Sequence, residues 1–295
     1  MSWLTPYLNE QVFGARDGAQ IEIRFLAQYS QDQLLIKQLR SGEDIHAQVI
    51  MTLLGWSWEK AHEKLARKFG KAIHFGIIYG LVALAIYEKL KRTGSKIKRS
   101  LVEEAYATYF KKYAGVAAWR QESIDYAERT GKFIPTLYGL QRPVGEGNRD
   151  SFWGNQAINS PIQGTAGQYL FLCLDLINRY KKSKYELLYK GMCNEVHDNL
   201  LYSTKLRNLS EADAQLQTVM EEHAVEESRK RFGIDFLVPM VSEPAAGFRM
   251  GTMVEGYDRK KPLEDFVSGW VVQNREIEEK FKKDPLAYVD LSRGK

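Results

Sequence analysis

Cysteine is scarce: only Cys173 and Cys193 occur among 295 residues. Neither belongs to a CxxC pair or a Cys/His cluster, so a disulfide scaffold and a sulfur-ligated zinc site are excluded, and a reducing compartment fits better. No run reaches the ~18 uninterrupted apolar residues that a membrane-spanning helix needs. The opening residues, MSWLTPYLNE, have neither the basic nor the apolar region of a secretory signal. Charge of one sign is also lacking: 42 basic residues face 37 acidic ones, a net of +5 that leans only weakly towards an anionic partner. There is no internal repeat and no low-complexity tract. With 44% hydrophobic and 27% charged residues, the composition is that of a cytoplasmic globular protein, large enough for one domain or two subdomains.

Against this plain background one stretch stands out, RKFGKAIHFGIIYG at 67–80. Arg67, Lys71, Phe75 and Tyr79 recur every fourth residue, and at about 100° per residue they share one slowly drifting stripe of a helix. Two cations at one end suit a polyanion such as a triphosphate, and two aromatics at the other suit a flat base or sugar. An ordinary amphipathic helix with flanking cations fits the spacing equally well. Gly70 and Gly76 each cost about 1 kcal/mol of helix stability relative to alanine, which points to close approach of another group.

Taken in order, the chain predicts a strand ending at Asp17-Gly18, then a helix over 20–27 with Ile21, Phe25 and Leu26 on one side. Asp17 falls at the junction, either displayed to a ligand or capping the helix; Asp44 reads as a cap by default. Residues 57–79 read as helical up to Gly80, followed by a helix over 81–91. Six basic residues between Lys89 and Arg99 mark a solvated turn or a phosphate-backbone contact. A long aromatic-rich helical stretch covers 101–130, with Tyr106, Tyr109, Phe110 and Trp119 read as packing. A β segment follows at 133–138, then a polar loop from Gly145 to Asp150. The next helix carries Asn155, Asn159 and Gln163 at four-residue intervals; amides that both donate and accept read nucleic-acid edges well. Pro161 should bend or end that helix. Residues 165–183 read as helical and 186–204 as extended, with His197-Asp198 at a hairpin tip. Ser210 to Phe232 reads as a charged helix capped by Ser210 and stopped by Gly233, and 236–241 as a buried strand.

These features, in this order, resemble the polymerase domain of family A DNA polymerases. DGAQIEIRFLA (17–27) is similar to that family's motif A, RKFGKAIHFGIIYG (67–80) to motif B and VHDNLLY (196–202) to motif C. DIH (44–46), YFKKYAGV (109–116), TLYGLQRP (136–143) and NSPIQGTA (159–166) are similar to further family segments. The resemblance covers about residues 10–250. It implies an α+β fold: a polymerase palm with an antiparallel sheet, carrying a helical fingers subdomain. The implied division is a first palm segment at 1–50, fingers at 51–135, a second palm segment at 136–250 and a C-terminal extension at 251–295.

The implied chemistry is template-directed DNA synthesis by two-metal phosphoryl transfer, with Mg2+ as the two ions and Mn2+ as a substitute. By resemblance Asp17, Asp198 and the Gly18 carbonyl hold the metals. Arg67 and Lys71 hold the triphosphate, and Lys71 is the proton donor to pyrophosphate. Phe75 and Tyr79 pack against sugar and base pair, and Gln20 and His46 complete the nucleotide site. Glu22, helped by Tyr79, crowds the 2′ position. His197 contacts the primer end, while Asn159, Gln163 and Arg142 contact DNA. The implied partners are primer-template DNA and dNTPs, with no membrane.

Three positions depart from the family pattern. Asn199 stands where a Glu usually follows the motif C Asp, Asn155 where a basic residue is usual, and Gly18-Ala19 where Tyr-Ser is common. Only 16 residues precede Asp17, too few for a thumb or exonuclease domain. The expectation is therefore the C-terminal piece of a split polymerase, of a kind phages encode, working in the host cytoplasm with a separate N-terminal chain that supplies the thumb and an exonuclease. Phe266–Val272 is either that chain's docking surface or packing within this one. Two rival readings stay open: a single-subunit RNA polymerase, opposed by Glu22, and a non-catalytic nucleic-acid-binding protein on a polymerase fold, suggested by Asn199 and Asn155.

Overall fold

A computed structural model describes residues 11–145, 152–248 and 253–283. They pack as two compact units. The helical unit draws on Gln20–Tyr169 and Ser228–Pro239. The sheet unit draws on Met1–Ala19, Leu170–Glu227 and Met240–Lys295. This division by packing breaks the chain at 19/20, 169/170, 227/228 and 239/240; the motif-based boundaries at 50, 135 and 250 divide it on a different basis.

In the sheet unit, β1 (Gln11–Gly18) is the central strand of a five-stranded sheet ordered β2-β3-β1-β4-β5. The others are β2 (Met192–Val196), β3 (Asn199–Lys205), β4 (Ser242–Gly247) and β5 (Val254–Glu255). Every pairing is antiparallel. Gly14 lies opposite Tyr202, whose ring occupies the space a Cβ would need: the nearest ring atom would be 2.2 Å away. Glycine at that point therefore lets a large aromatic lie across β1.

The helical unit begins with α1 (Ile21–Ser30), α2 (Gln33–Ser41), α3 (Ile45–Leu54), α4 (Trp58–His62), α5 (Lys64–Ile78) and α6 (Ala83–Arg92). It continues through α7 (Arg99–Lys112) and α8 (Ala114–Thr130). The next helix, α9 (Phe152–Arg179), passes from this unit into the sheet unit between Tyr169 and Leu170. The Asp32 carboxylate caps α2 and also accepts from the Gly115 N–H at 2.8 Å, so one side chain ties the start of α2 to α8. Asp44 caps α3, accepting from the N–H groups of His46 and Ala47. α5 packs on α3 and α6 at its two glycines. A Cβ on Gly70 would stand 2.1 Å from the His46 carbonyl oxygen, and one on Gly76 would stand 2.5 Å from Ile86 side-chain atoms. Both glycines thus permit close helix approach, and Gly70 does so against backbone, which cannot swing aside.

Several sequence expectations change. The helix expected over 57–79 breaks at Glu63, whose ψ of 140° is not helical. Residues 133–138 form no strand: among the described residues only Lys132 and Pro143 make a bridge, and the Thr136 N–H bonds within a turn to the Leu140 carbonyl. Pro135 has no N–H for a ladder. α9 continues through Pro161, whose carbonyl accepts from the Tyr29 hydroxyl at 3.3 Å. Residues 186–191 are helical (α10, Glu186–Gly191) rather than extended. Ser210 does not cap: α11 (Leu209–Thr218) starts from Asn208. A π-helical turn at Val219–His223 separates α11 from α12 (Ala224–Phe232), which Gly233 ends with φ 68°. The strand expected at 236–241 lies later, as β4. Of the polar loop at 145–150, residues 146–150 lie outside the described residues. In α13 (Leu263–Lys283), Phe266 and Trp270 pack on Phe248, Phe266 also meets Tyr257, and Val267 is fully buried. Phe266, Val267 and Trp270 of that apolar patch are therefore engaged within the chain, whereas Val272 is exposed.

The glycine contacts generate a direct test. Gly70→Ala should gain about 1 kcal/mol in helix propensity but lose about 2 kcal/mol or more to overpacking, lowering the midpoint of chemical unfolding. An unchanged or raised midpoint would contradict the close approach of α5 to the His46 carbonyl.

Candidate active site

The sheet unit sets two acidic residues at adjoining strand ends. β1 and β3 pair so that Asp17 lies opposite Asn199, one residue from Asp198. The next N–H along, that of Gly18, donates to the Asp198 carbonyl at 2.8 Å. Asp198 sits in the two-residue turn between β2 and β3, where His197 adopts the left-handed conformation with φ 58°. That strained backbone, unusual for a residue with a Cβ, holds the exposed His197 side chain at the tip. Asp17 is within β1 and does not cap α1, whose N-cap is Gln20, itself left-handed with φ 49°. Among the described residues no three His, Cys, Asp or Glu side chains gather as a metal site. Asp17 and Asp198 are nonetheless two hard oxygen donors on adjoining strand ends, beside the backbone at Gly18. This donor set fits a hard divalent cation that keeps some of its water shell. Asn199 adds no charge to it.

Behind this strand end lies a group that the charged pattern of the sequence did not disclose. Arg16 is buried, and its Nε and Nη2 donate to the two Asp213 carboxylate oxygens at 2.9 and 3.1 Å. Its Nη1 reaches the Ser242 hydroxyl at 2.7 Å, the Ser242 carbonyl at 3.0 Å and Glu221 at 3.4 Å. Asp213 is buried on α11, and Glu221 lies in the π-helical turn. The pairing of a lone basic residue inside an apolar strand with an acid 197 positions later leaves no local signal.

In the helical unit the stripe is present, with qualifications. Arg67 is exposed and ion-paired with Asp44, so it is not a free cation. Burial alone would raise the Asp44 carboxyl, but the hydrogen bond and charge of Arg67, with the N–H groups of His46 and Ala47, outweigh it and hold the group below its ordinary value. Lys71 is exposed, its Nζ 5.6 Å from the centre of the Phe75 ring. Phe75 and Tyr79 stack at 6.2 Å with 22° between their planes. Tyr79 lies just past the end of α5 rather than within it. Its hydroxyl donates to Glu22 Oε1 at 3.1 Å, and the Gln163 amide donates to the same oxygen at 3.2 Å. Three residues from separate regions of the chain thus converge.

His46 is buried against Phe75 and His74, at ring-centre distances of 6.0 and 5.8 Å. Burial pushes it down to about 4; the Asp44 charge opposes this, and the Lys71 and Arg67 charges add to it. His46 is therefore a neutral imidazole at physiological pH. His74, fully buried, is also pushed well down by burial, with a further contribution from His46. Of the remaining candidates, Asn159 is half-buried on α9 with its Oδ1 lacking a hydrogen-bond partner. Arg142 is exposed, donates to the Ser160 hydroxyl at 3.3 Å and lies 5.7 Å from the Phe133 ring centre. Asn155 packs against Gly80, whose φ is 70°; a Cβ there would stand 2.6 Å from the Asn155 side-chain oxygen. Of the six basic residues at the α6–α7 turn, all exposed, Arg99 is paired with Glu103 at 2.7 Å.

The sheet unit is a five-stranded antiparallel sheet with two acidic residues at neighbouring strand ends, and the helical unit, taken by itself, has a helix bearing cations and stacked aromatics. Comparison with known proteins gives the family: residues 3–247 match the model of DNA polymerase family A, and the chain belongs to that family. It is similar to DNA polymerase I of Lactococcus lactis subsp. cremoris, 32% identical over 216 residues, covering 70% of this chain and 23% of that protein. The thermostable DNA polymerase I of Thermus thermophilus is 30% identical over 217 residues, covering 70% of this chain and 24% of that protein. A solved structure described as the POL domain of Pol1 from M. smegmatis, in complex with DNA primer-template and dNTP, matches with a TM-score of 0.65. At 23% identity, over 81% of this chain and 40% of that one, the likeness is one of fold. The chain spans about a quarter of the length of the curated relatives it matches. No helix among the described residues is long and apolar enough to cross a membrane.

The buried histidines set a pH dependence. A histidine whose folded-state value is depressed leaves stability intact above its unfolded value of 6.5. That stability is lost as the pH falls from there towards about 4. For His46 the loss is about 3 kcal/mol across that window. Unfolding midpoints measured from pH 7 to 4 should fall, and His46→Gln should flatten some of the slope. Parallel curves for the two proteins would contradict the neutral, buried state of His46.

Proposed function

We propose that this chain carries the catalytic centre of a template-directed DNA polymerase, adding dNMPs to a primer 3′ end. The observation that carries the reading is the β1–β3 register, with Asp17 opposite Asn199 and the Gly18 N–H on the Asp198 carbonyl at 2.8 Å. Asp17, Asp198 and the Gly18 carbonyl would hold two divalent ions, Mg2+ or Mn2+. When bound, such ions neutralise charge on the attacking and leaving oxygens of phosphoryl transfer.

The chain's own side chains do the rest. The exposed Arg67 exchanges its half-buried partner Asp44 for the triphosphate, at modest cost because ion pairs near the surface contribute only about 0–1 kcal/mol. Lys71 holds the same phosphates and donates a proton to the pyrophosphate leaving group. The neutral His46 ring and Gln20 offer hydrogen bonds to the nucleotide, while Phe75 and Tyr79 offer flat apolar surface to sugar and base. Glu22, held in place by Tyr79 and Gln163, stands where a 2′-hydroxyl would collide, and this favours dNTPs over rNTPs. His197 contacts the primer end. Asn159 and Gln163 reach minor-groove acceptors common to all correct base pairs, and Arg142 contacts the DNA backbone. Processive synthesis on this reading requires the thumb and other regions that make up the remaining length of the relatives, supplied in the same polypeptide or by a separate N-terminal chain.

Primer extension with this chain, alone and with the remaining polymerase regions supplied, tests the assignment. Asp198→Ala should lower extension on the order of a thousandfold or more while leaving DNA binding in place; an unchanged rate would falsify the catalytic role. Glu22→Ala should raise the ratio of rNTP to dNTP incorporation by about 10- to 100-fold. An unchanged ratio would remove Glu22 from sugar selection.

A further inference from the structure

Arg16 and Asp17 are consecutive residues of one strand, so their side chains leave opposite faces. Asp17 belongs to the carboxylate pair, whereas Arg16 points into a buried polar group on the other face. Asp213 takes the guanidinium fork through two hydrogen bonds of 2.9 and 3.1 Å, and Arg259 reaches the same carboxylate at 3.3 Å. Glu221 accepts from the Ser242 N–H at 2.8 Å and its hydroxyl at 2.7 Å, as well as from Arg16. Ser242 is the residue that β4 sets opposite Gly18. One guanidinium therefore links α11, the π-helical turn and the start of β4 to the strand position directly before Asp17. Towards β3 the Gly18 N–H is bonded to the Asp198 carbonyl, and towards β4 the Ala19 N–H donates to the Val241 carbonyl, both at 2.8 Å.

We propose that Arg16, with Asp213 and Glu221, is a positioning group for divalent-ion binding: it fixes the height and twist of the β1 end so that the Asp17 carboxylate meets that of Asp198. The proposal rests on the polymerase reading of this pair. Three features support it. First, a buried ion pair contributes little net stability compared with apolar residues of similar volume, so stability alone does not account for an arginine inside this strand. Second, Asn199 contributes no carboxylate beside Asp198, so ion binding there depends on where β1 sets Asp17. Third, π-helical turns are frequent at functional sites, and this one presents Glu221 to Ser242 at the start of β4. Outer groups that orient metal-binding side chains typically alter metal affinity or activity by about 10- to 100-fold.

The test separates positioning from stability. Arg16→Met alone should unfold readily, because it strands the buried Asp213 carboxylate. The double variant Arg16→Met/Asp213→Leu replaces the pair by apolar volume and should recover the thermal midpoint. Mn2+ alone is the probe, with free ion counted by electron paramagnetic resonance during titration of the wild type, the double variant and Asp17→Asn. Retained thermal stability with Mn2+ binding weakened about 10- to 100-fold, towards that of Asp17→Asn, supports positioning. Retained stability with wild-type Mn2+ affinity overturns it. If the double variant does not fold, Arg16→Lys keeps the charge but loses the fork, and the same two outcomes apply to it. Asp17→Asn binding Mn2+ as tightly as the wild type would instead overturn the metal reading of the carboxylate pair, a distinct failure.

Discussion

Strand β1 is held at its Asp17 end from three directions, and the position of the Asp17 side chain depends on that. Its neighbours β3 and β4 supply backbone hydrogen bonds on both sides, and Arg16 fastens it from behind to Asp213, Glu221 and Ser242. Two carboxylates brought close repel one another, so their approach must be imposed by surrounding structure. A central strand in an antiparallel sheet imposes it well, because register displaces in whole residues and a one-residue slip would turn Asp17 to the opposite face. The turn holding Asp198 meets the same demand through a left-handed His197.

A comparable constraint governs the helical unit, where α5 is held against α3 through Gly70. The contact fixes α5 relative to the helix start that Asp44 caps, and Asp44 in turn holds Arg67. Capping, ion pairing and helix packing thus meet at one residue. The buried His46 and His74 lie along the same contact as neutral rings. Nitrogen atoms there are tolerated because burial suppresses their charge, not because the interior is polar.

The motif residues are legible in the sequence because each has a local signature: an Asp at a strand end, four side chains at helical spacing, three amides at four-residue intervals, His-Asp between two short strands. The hairpin, the Asp44 cap and the helical setting of Asn155, Asn159 and Gln163 appear as the pattern implies. Sequence and structure diverge where the pattern is ambiguous. Residues 133–138 and 236–241 are apolar runs that read as strands, yet Pro135 and Pro239 interrupt them and neither joins the sheet. Glu186–Gly191 reads as extended only through its neighbours, and it folds as a short helix. Ser210, a good capping residue by type, bonds instead through its hydroxyl to the Tyr257 hydroxyl at 2.9 Å.

By itself the sequence determined the residue types, their order and the local periodicities, and through them the family. Short-range chemistry is written in consecutive residues, so it can be read from them. Only the tertiary structure decided why Gly70 and Gly76 are glycine, that Arg67 is partnered by Asp44, that Glu22 receives both Tyr79 and Gln163, and that Arg16 is buried on Asp213. Each of these joins positions far apart in the chain or depends on space left between elements. Burial and close approach are properties of the folded surroundings, and they leave no mark on the residue itself.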